Sequence, residues 1–343
     1  MLAFQNVLVG IDLSQRDPPG SKTLSPPVRE AIQTSVWLAE KMNASLTFFT
    51  AIEIPEDTPY LDLLVDEPQD LLRSLAASAN DELGEWVGAA QAKGISAKAE
   101  VAHGVGWMEI IRLVERDQHD LVIAGARNLH GFDRFLLGST AQKLLRNCPC
   151  PVWVVRPDHT INVSHILVAS DLRPVSEKAL WAAVELAPRL GAKVHVVHAA
   201  SFPLERIWLS PIHGAAREHY RRQVRADADA ALKEQVARLG VAGARVEIEV
   251  IDGDGGADLA ILRFIDQHQV DMLVMGTVAR HGVPGVLVGN TAERMLHEAP
   301  CSLFAVKPDG FESPAVPKAA QGRKQARRER KAAFGTGAQE SVQ

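Results

Sequence analysis

Cysteine is scarce in this 343-residue chain, where Cys148, Cys150 and Cys301 are all there is. So low and odd a count excludes a secreted disulfide framework and fits a reducing cytoplasm. Cys148-Pro149-Cys150 is too short for half of a zinc knuckle and has no CxxC partner, so it reads as small apolar residues leading into a buried strand. Aromatics are scarce too, at 5%, while Ala, Val and Leu dominate. That balance suits an α/β core better than an all-β sandwich. No run of about 18 apolar residues occurs, so no membrane span is expected. The opening "MLAFQNVLVGIDLS" has no basic leader and no small-residue cleavage site, and reads as a first strand rather than a signal peptide.

Signatures of catalysis and metal binding are missing as well. None of the twelve histidines sits in an H-E-x-x-H pair, and no G-x-S-x-G elbow occurs. His195 and His198 lie within an apolar strand pattern, where packing or a pocket rim outweighs metal ligation. "DGDGGAD" at 252–258 lacks the calcium-loop spacing and reads as a strand-to-helix turn. No metal ligand set is expected.

Positive charge is lacking over most of the chain. Net charge is −5, but residues 310–343 carry seven Lys/Arg against three Glu, which leaves the body near −9. A body that acidic is poorly suited to hold nucleic acid. The tail is rich in Pro, Gly, Ala and charge and is expected to be disordered. Its cluster of Arg323, Lys324, Arg327, Arg328, Arg330 and Lys331 reads as a solvated tail or as a contact for nucleic acid or an acidic partner.

What is present is a repeat. "NVLVGIDLS" at 6–14 resembles "HILVASDLR" at 165–173, and the segment 121–158 resembles 272–309. In the second pair Gly125/Gly276, His130/His281, Gly138/Gly289, Thr140/Thr291 and Cys150/Cys301 coincide. The chain is therefore a duplication, with one domain at 1–158, a second at 163–309 and the tail at 310–343. The first half predicts strands near 6–12, 45–52, 96–102, 120–125 and 151–156, with helices near 27–43, 66–93, 106–117 and 139–147. The second half repeats the pattern, with strands near 165–170, 193–199, 245–251, 271–276 and 302–307. Alternating strands and helices give an α/β fold of two tandem, doubly wound, five-stranded parallel-sheet domains, Rossmann-like. The first half carries eleven extra residues, "QRDPPGSKTLS" at 15–25, at the carboxyl end of its first strand. They read either as a flap or partner surface, because such folds bind ligands there, or as a tolerated surface insertion.

The stretch "LVIAGARNLHGFDRFLLGST" at 121–140 carries the binding signal. It is not a P-loop, because no Lys follows Gly138, and its glycines are too far apart for G-x-G-x-x-G. Gly125 is expected to turn the chain sharply out of its strand, and Gly138 to let backbone approach phosphate. Ser139 and Thr140 offer hydroxyls, and the amides of 138–141 open a helix, where the dipole favours an anion. Asp12, at the end of the neighbouring strand, can accept a hydrogen bond from a base or ribose.

Gly125, Gly138 and Ser139, with Asp12 on the first strand, resemble the universal stress protein family. Its nucleotide-binding members carry G-x2-G-x9-G-[ST] after the fourth strand. The resemblance covers residues 1 to about 309 and points to the family's tandem form. It implies an adenine nucleotide alpha hydrolase-like fold and a cytoplasmic stress regulator that binds ATP or a related adenine nucleotide without turnover. Mg2+ enters only with the nucleotide. It adds Gly10, Ala51 and Ala124 as contacts to the base, and a pseudo-dimer of the two domains joined through strands 152–155 and 303–306. Asn128 stands where the family has Gly, and Arg127 reads as a phosphate ligand or a solvated loop arginine. In the second half Asp171, Gly276, Gly289 and Thr291 match, but Ala279 and Asn290 depart, which weakens that copy. A nucleotide-independent scaffold or small-ligand protein is the other reading, and a protein partner or homodimer is left open.

Overall fold

The computed structural model describes residues 4–18, 20–54, 68–126, 138–156, 163–206, 213–240, 245–277 and 290–315. In the first half, short Val-, Ile- and Phe-rich runs form β1 (Asn6–Gly10), β2 (Ser45–Ile52), β3 (Ala97–His103), β4 (Leu121–Gly125) and β5 (Val152–Val155). Helices α1 (Pro26–Met42), α2 (Pro68–Gln91), α3 (Gly106–Asp117) and α4 (Ser139–Asn147) lie between them. The second half repeats the series: β6 (His165–Ala169), α5 (Pro174–Leu190), β7 (Lys193–Ala200), a 3-10 turn (Pro203–Arg206), α6 (Gly214–Arg238), β8 (Arg245–Asp252), α7 (Ala257–Gln267), β9 (Met272–Gly276), α8 (Asn290–Glu298) and β10 (Ser302–Val306). The sequence marks the ends of α1 and α5 alike. Each begins on proline, whose missing N–H is an orphan there anyway. Each stops at a left-handed residue, Asn43 or Gly191.

The strand order is β3-β2-β1-β4-β5-β10-β9-β6-β7-β8, in one ten-stranded sheet. Within each half all pairing is parallel. The halves meet where β5 and β10 run antiparallel, with Val154 opposite Leu303 and Trp153 opposite Phe304. The two five-stranded sheets are thus fused into one, because the fifth strands satisfy each other's edge N–H and C=O groups. The apolar cores on the two faces run across the join. One holds buried residues of α1, α2, α5 and α6, and the other those of α3, α4, α7 and α8. The few aromatics concentrate at the junction, where Phe304 packs 6.1 Å from Trp153 and 5.8 Å from Phe4, centroid to centroid.

Polar contacts at the junction are reciprocal. Lys307, just past β10, donates to Leu145 O near the carboxyl end of α4 and to Thr277 Oγ1. Arg156, just past β5, donates to Ala299 O, which follows α8. Each domain thus sets an N–H donor at the carboxyl end of the other's helix, where carbonyls lack intrahelical partners. Arg146 on α4 also pairs with Glu293 on α8.

The described residues run six positions past the expected domain end at Asp309. Phe311 lies 5.2 Å from Lys307 Nζ, and Ser313 is buried. The apolar ring beside the buried ammonium holds this segment to the second domain. The rest of the expected tail, including its arginine cluster, lies outside the described residues. All three cysteines are free, with Cys148 and Cys301 buried. His195 packs among His165, Phe264 and His268, and burial, aided by the charge of Lys193, pushes its pKa down to about 4. His198 Nδ1 lies 2.9 Å from Ser170 O. "DGDGGAD" does form the turn from β8 to α7, and its carboxylates Asp252, Asp254 and Asp258 pair with arginines. No group of three or more His, Cys, Asp or Glu among the described residues is disposed to hold a metal ion.

Candidate functional site

At the carboxyl ends of β1, β2 and β4 lies a cavity of about 600 Å³. Gly10, Asp12, Ala51, Ala124, Gly125, Gly138, Ser139 and Thr140 all line it. Parallel strands point their carboxyl ends at this crest, and the helices that follow bring their amino ends to it. Gly10 ends β1, and a Cβ there would stand 3.1 Å from Ile110 Cδ1, so a side chain would press on α3. Ala51 and Ala124 leave the floor low for the same reason of size.

Gly125 is needed for a reason other than the expected sharp turn. Its backbone is not left-handed. A Cβ on it would instead lie 2.5 Å from the carbonyl oxygen of Pro27, at the start of α1. The glycine lets a helix terminus sit against the end of β4. Gly125→Ala should therefore destabilise the protein by about 1–2 kcal/mol, because backbone, not a flexible side chain, must yield. Urea denaturation of the full chain measures this, and an unchanged midpoint would refute it.

Gly138 is the residue before α4, with φ −60° and ψ 156°, an extended backbone open to any residue. Ser139 and Thr140 form the exposed first turn, with no acidic residue in it. The first helical bond runs from Gln142 N to Gly138 O, at 3.0 Å. Helix geometry leaves the amides of Ser139, Thr140 and Ala141 without intrahelical acceptors, aimed at the cavity end of the dipole. Asp12 is held by its own loop. Its Oδ1 accepts from Ser14 N at 3.0 Å and Ser14 Oγ at 2.5 Å, and its Oδ2 from Gln15 Nε2 at 2.9 Å. The carboxylate is exposed and fixed as an acceptor. Arg127 and Asn128 lie outside the described residues.

Sequence reading missed the pair Arg16–Glu82, which also lines this cavity. Its members are 66 positions apart, so no local pattern links them. Only the eleven-residue insertion pointed toward Arg16. Arg16 is the sole Lys or Arg among the described lining residues.

The matching crest of the second domain is arranged differently. Asp171 Oδ1 accepts from Ser176 Oγ at 2.5 Å and Arg173 N at 3.1 Å, so it closes the start of α5. Gly276 faces Val175, whose methyls would stand 2.7 and 2.8 Å from an added Cβ. Arg221 of α6 reaches across the crest to Glu205, Asp252 and Asp254, over the buried ring of Phe202 at 4.4 Å. The arginines hold Glu205 down at about 2. Thr291 lies in the first turn of α8, which Asn290 opens; Gly289 and the side chain of Asn290 lie outside the described residues. Among the described residues of this crest, Asp171 caps the start of α5 and Gly276 packs against Val175.

Against this geometry, the sequence model of the Universal stress protein family matches residues 3–156 and again 162–307. The chain belongs to the universal stress protein family. It carries the family's domain twice in tandem. Universal stress protein E of Escherichia coli K12 is 25% identical over 329 residues, covering 92% of this chain and 97% of that protein. Universal stress protein E of Photorhabdus laumondii is 23% identical over 326 residues, with 92% and 98% covered. Among solved structures, a universal stress protein from Archaeoglobus fulgidus superposes with a TM-score of 0.65 at 19% identity, covering 88% of this chain and 98% of that one. A functionally unknown protein from Pseudomonas aeruginosa gives 0.61 at 21% identity, with 90% and 94% covered. Both neighbours share the fold over most of the chain.

Proposed function

We propose that this tandem universal stress protein is a cytoplasmic stress-response regulator whose first domain binds ATP or a related adenine nucleotide without turning it over. The supporting observation is the convergence on one crest of an acceptor (Asp12), small floor residues (Gly10, Ala51, Ala124) and a helix amino end (Gly138, Ser139, Thr140) around a cavity of about 600 Å³. Sites for small molecules and cofactors occupy roughly 300–1,000 Å³. The amides of α4 take the phosphates, and Asp12 the nucleoside. The one hydroxyl–carboxylate pair in the described lining, Ser14 Oγ to Asp12 Oδ1 at 2.5 Å, also ties Asp12 to its own loop through Ser14 N, and is assigned to holding the acceptor in place rather than to turnover. Mg2+ would arrive with the phosphates, since the described residues offer no metal cage of their own. The crest of the second domain, spanned by its own ion pairs, is assigned a structural part.

A second reading, a nucleotide-independent small-ligand protein, draws on Leu13, Val28, Ile52 and Leu75 in the same lining, with Leu75 40% exposed. Calorimetric titration of the full chain with ATP, together with analysis of what it releases on denaturation, separates the two. Saturable ATP binding at one site per chain is the expected result. An apolar ligand released and no heat with ATP would favour the second reading.

A further inference from the structure

The eleven-residue insertion of the first domain brings Gln15 and Arg16 into the lining of its cavity. Fifteen residues separate β1 from α1, whereas four separate β6 from α5. The extra chain folds back on itself: Asp17 N donates to Thr23 O at 3.0 Å, Ser25 N donates to Gln15 O at 2.8 Å, and Arg16 bridges Leu24. From this small hairpin Arg16 reaches α2. Its Nη1 and Nη2 donate to Glu82 Oε1 and Oε2 at 2.9 and 2.8 Å, fork to fork, and Nη1 also donates to Lys22 O at 2.8 Å. The two side chains are only 19% and 29% exposed.

Arg16 and Glu82 line the cavity on the side of α2, while Ser139 opens α4 on the other face of the sheet. Two consequences follow from that placement. The guanidinium's charge is already met by Glu82, so it is not held in reserve for phosphate. Its plane is fixed by three hydrogen bonds, beside the apolar Leu75 and Ala79 of the same wall. A fixed, charge-compensated guanidinium plane stacks well on an aromatic ring, which a lysine ammonium cannot imitate.

We infer that Arg16, held by Glu82, is a specificity-determining residue for the base end of a bound nucleotide, and that the insertion exists to deliver it. The inference rests on the nucleotide reading of this cavity. It commits the ligand's heteroaromatic ring to the α2 wall and its phosphates to α4.

The test is calorimetric titration of the full chain and its Arg16→Met, Arg16→Lys and Glu82→Gln variants with ATP and with AMP at fixed salt. Arg16→Met should weaken both ligands by the same factor, about tenfold. Arg16→Lys, which keeps charge but loses the plane, should weaken them as much, and Glu82→Gln by less. Retained thermal midpoints show that the variants fold. Wild-type affinity in Arg16→Met, full rescue by Arg16→Lys, or a loss that grows from AMP to ATP would each overturn the inference, the last two by making Arg16 a phosphate ligand. If wild-type protein gives no heat with either ligand, the nucleotide reading itself fails.

Discussion

Ser139→Asp should lower ATP affinity at least about a hundredfold while leaving the fold slightly more stable. The two signs come from one location. Ser139 begins α4, is exposed, and has no acidic neighbour in the first helical turn. A carboxylate there meets the positive end of the helix dipole, which stabilises by about 0.3–1 kcal/mol. A phosphate bound to the same amides would lie within a few ångströms of that carboxylate. Like charges about 4 Å apart repel by about 4 kcal/mol at the effective dielectric of a protein surface. That repulsion alone exceeds a hundredfold in binding.

Ser139→Ala is the companion variant. It removes one hydroxyl donor and no amide, so about a five- to tenfold loss is expected. Titration calorimetry gives the affinities, and thermal unfolding without ligand gives the stabilities. A Ser139→Asp protein that binds ATP as tightly as wild type would show that phosphates do not sit on α4. A variant that loses both affinity and stability would show instead that Ser139 is structural, and the anion cradle would lose its support.

Much of the architecture was open to sequence reading because local and global signals agree. "LVIAG" and "MLVMG" are buried β4 and β9, as continuous apolar runs between polar turns should be. Residues of the site were legible where they fall at strand ends or a helix start, since those places are fixed by chain order alone. What escaped was everything that depends on two distant segments meeting. The need for glycine at Gly125 comes from Pro27, almost a hundred residues earlier, and not from local conformation. Arg16 looked like one charge in a polar loop until Glu82 was opposite it. Arg221 spans the crest of the second domain through three carboxylates that lie 16 to 33 positions away, which no local pattern links to it. Lys307, in "FAVKPDG", ends the predicted strand at 302–307, and nothing local marks it for burial. Only the antiparallel join of β5 and β10 buries it.

That burial gives the second large effect. Lys307 is 4% exposed, with Leu145 O and Thr277 Oγ1 as its partners. Removal from water pushes its pKa down from 10.5 to about 7, partly offset by the nearby Cys148. The unfolded chain keeps Lys307 protonated up to 10.5, whereas the folded chain gives up its proton near 7. Between these values the unfolded state binds more protons, so stability must rise with pH. Over that window the rise attributable to Lys307 is about 4 kcal/mol. Other groups titrate there as well. Burial raises the Cys301 thiol to about 12 and Cys150 also upward, so their unfolded forms ionise first and pull stability down above about pH 9. The difference between wild type and Lys307→Met removes these shared contributions. In the variant Thr277 Oγ1 still has Leu145 O, at 3.2 Å, so no side-chain hydroxyl is stranded. Lys307→Met should be more stable than wild type by about 1–3 kcal/mol at pH 7, and the gap should close or reverse by pH 10. Urea denaturation of both proteins from pH 6.5 to 10.5 measures the gap. A constant difference across that range would mean that the ammonium stays charged in the folded chain, with the carboxyl end of α4 supplying enough of a counter-field to offset its desolvation.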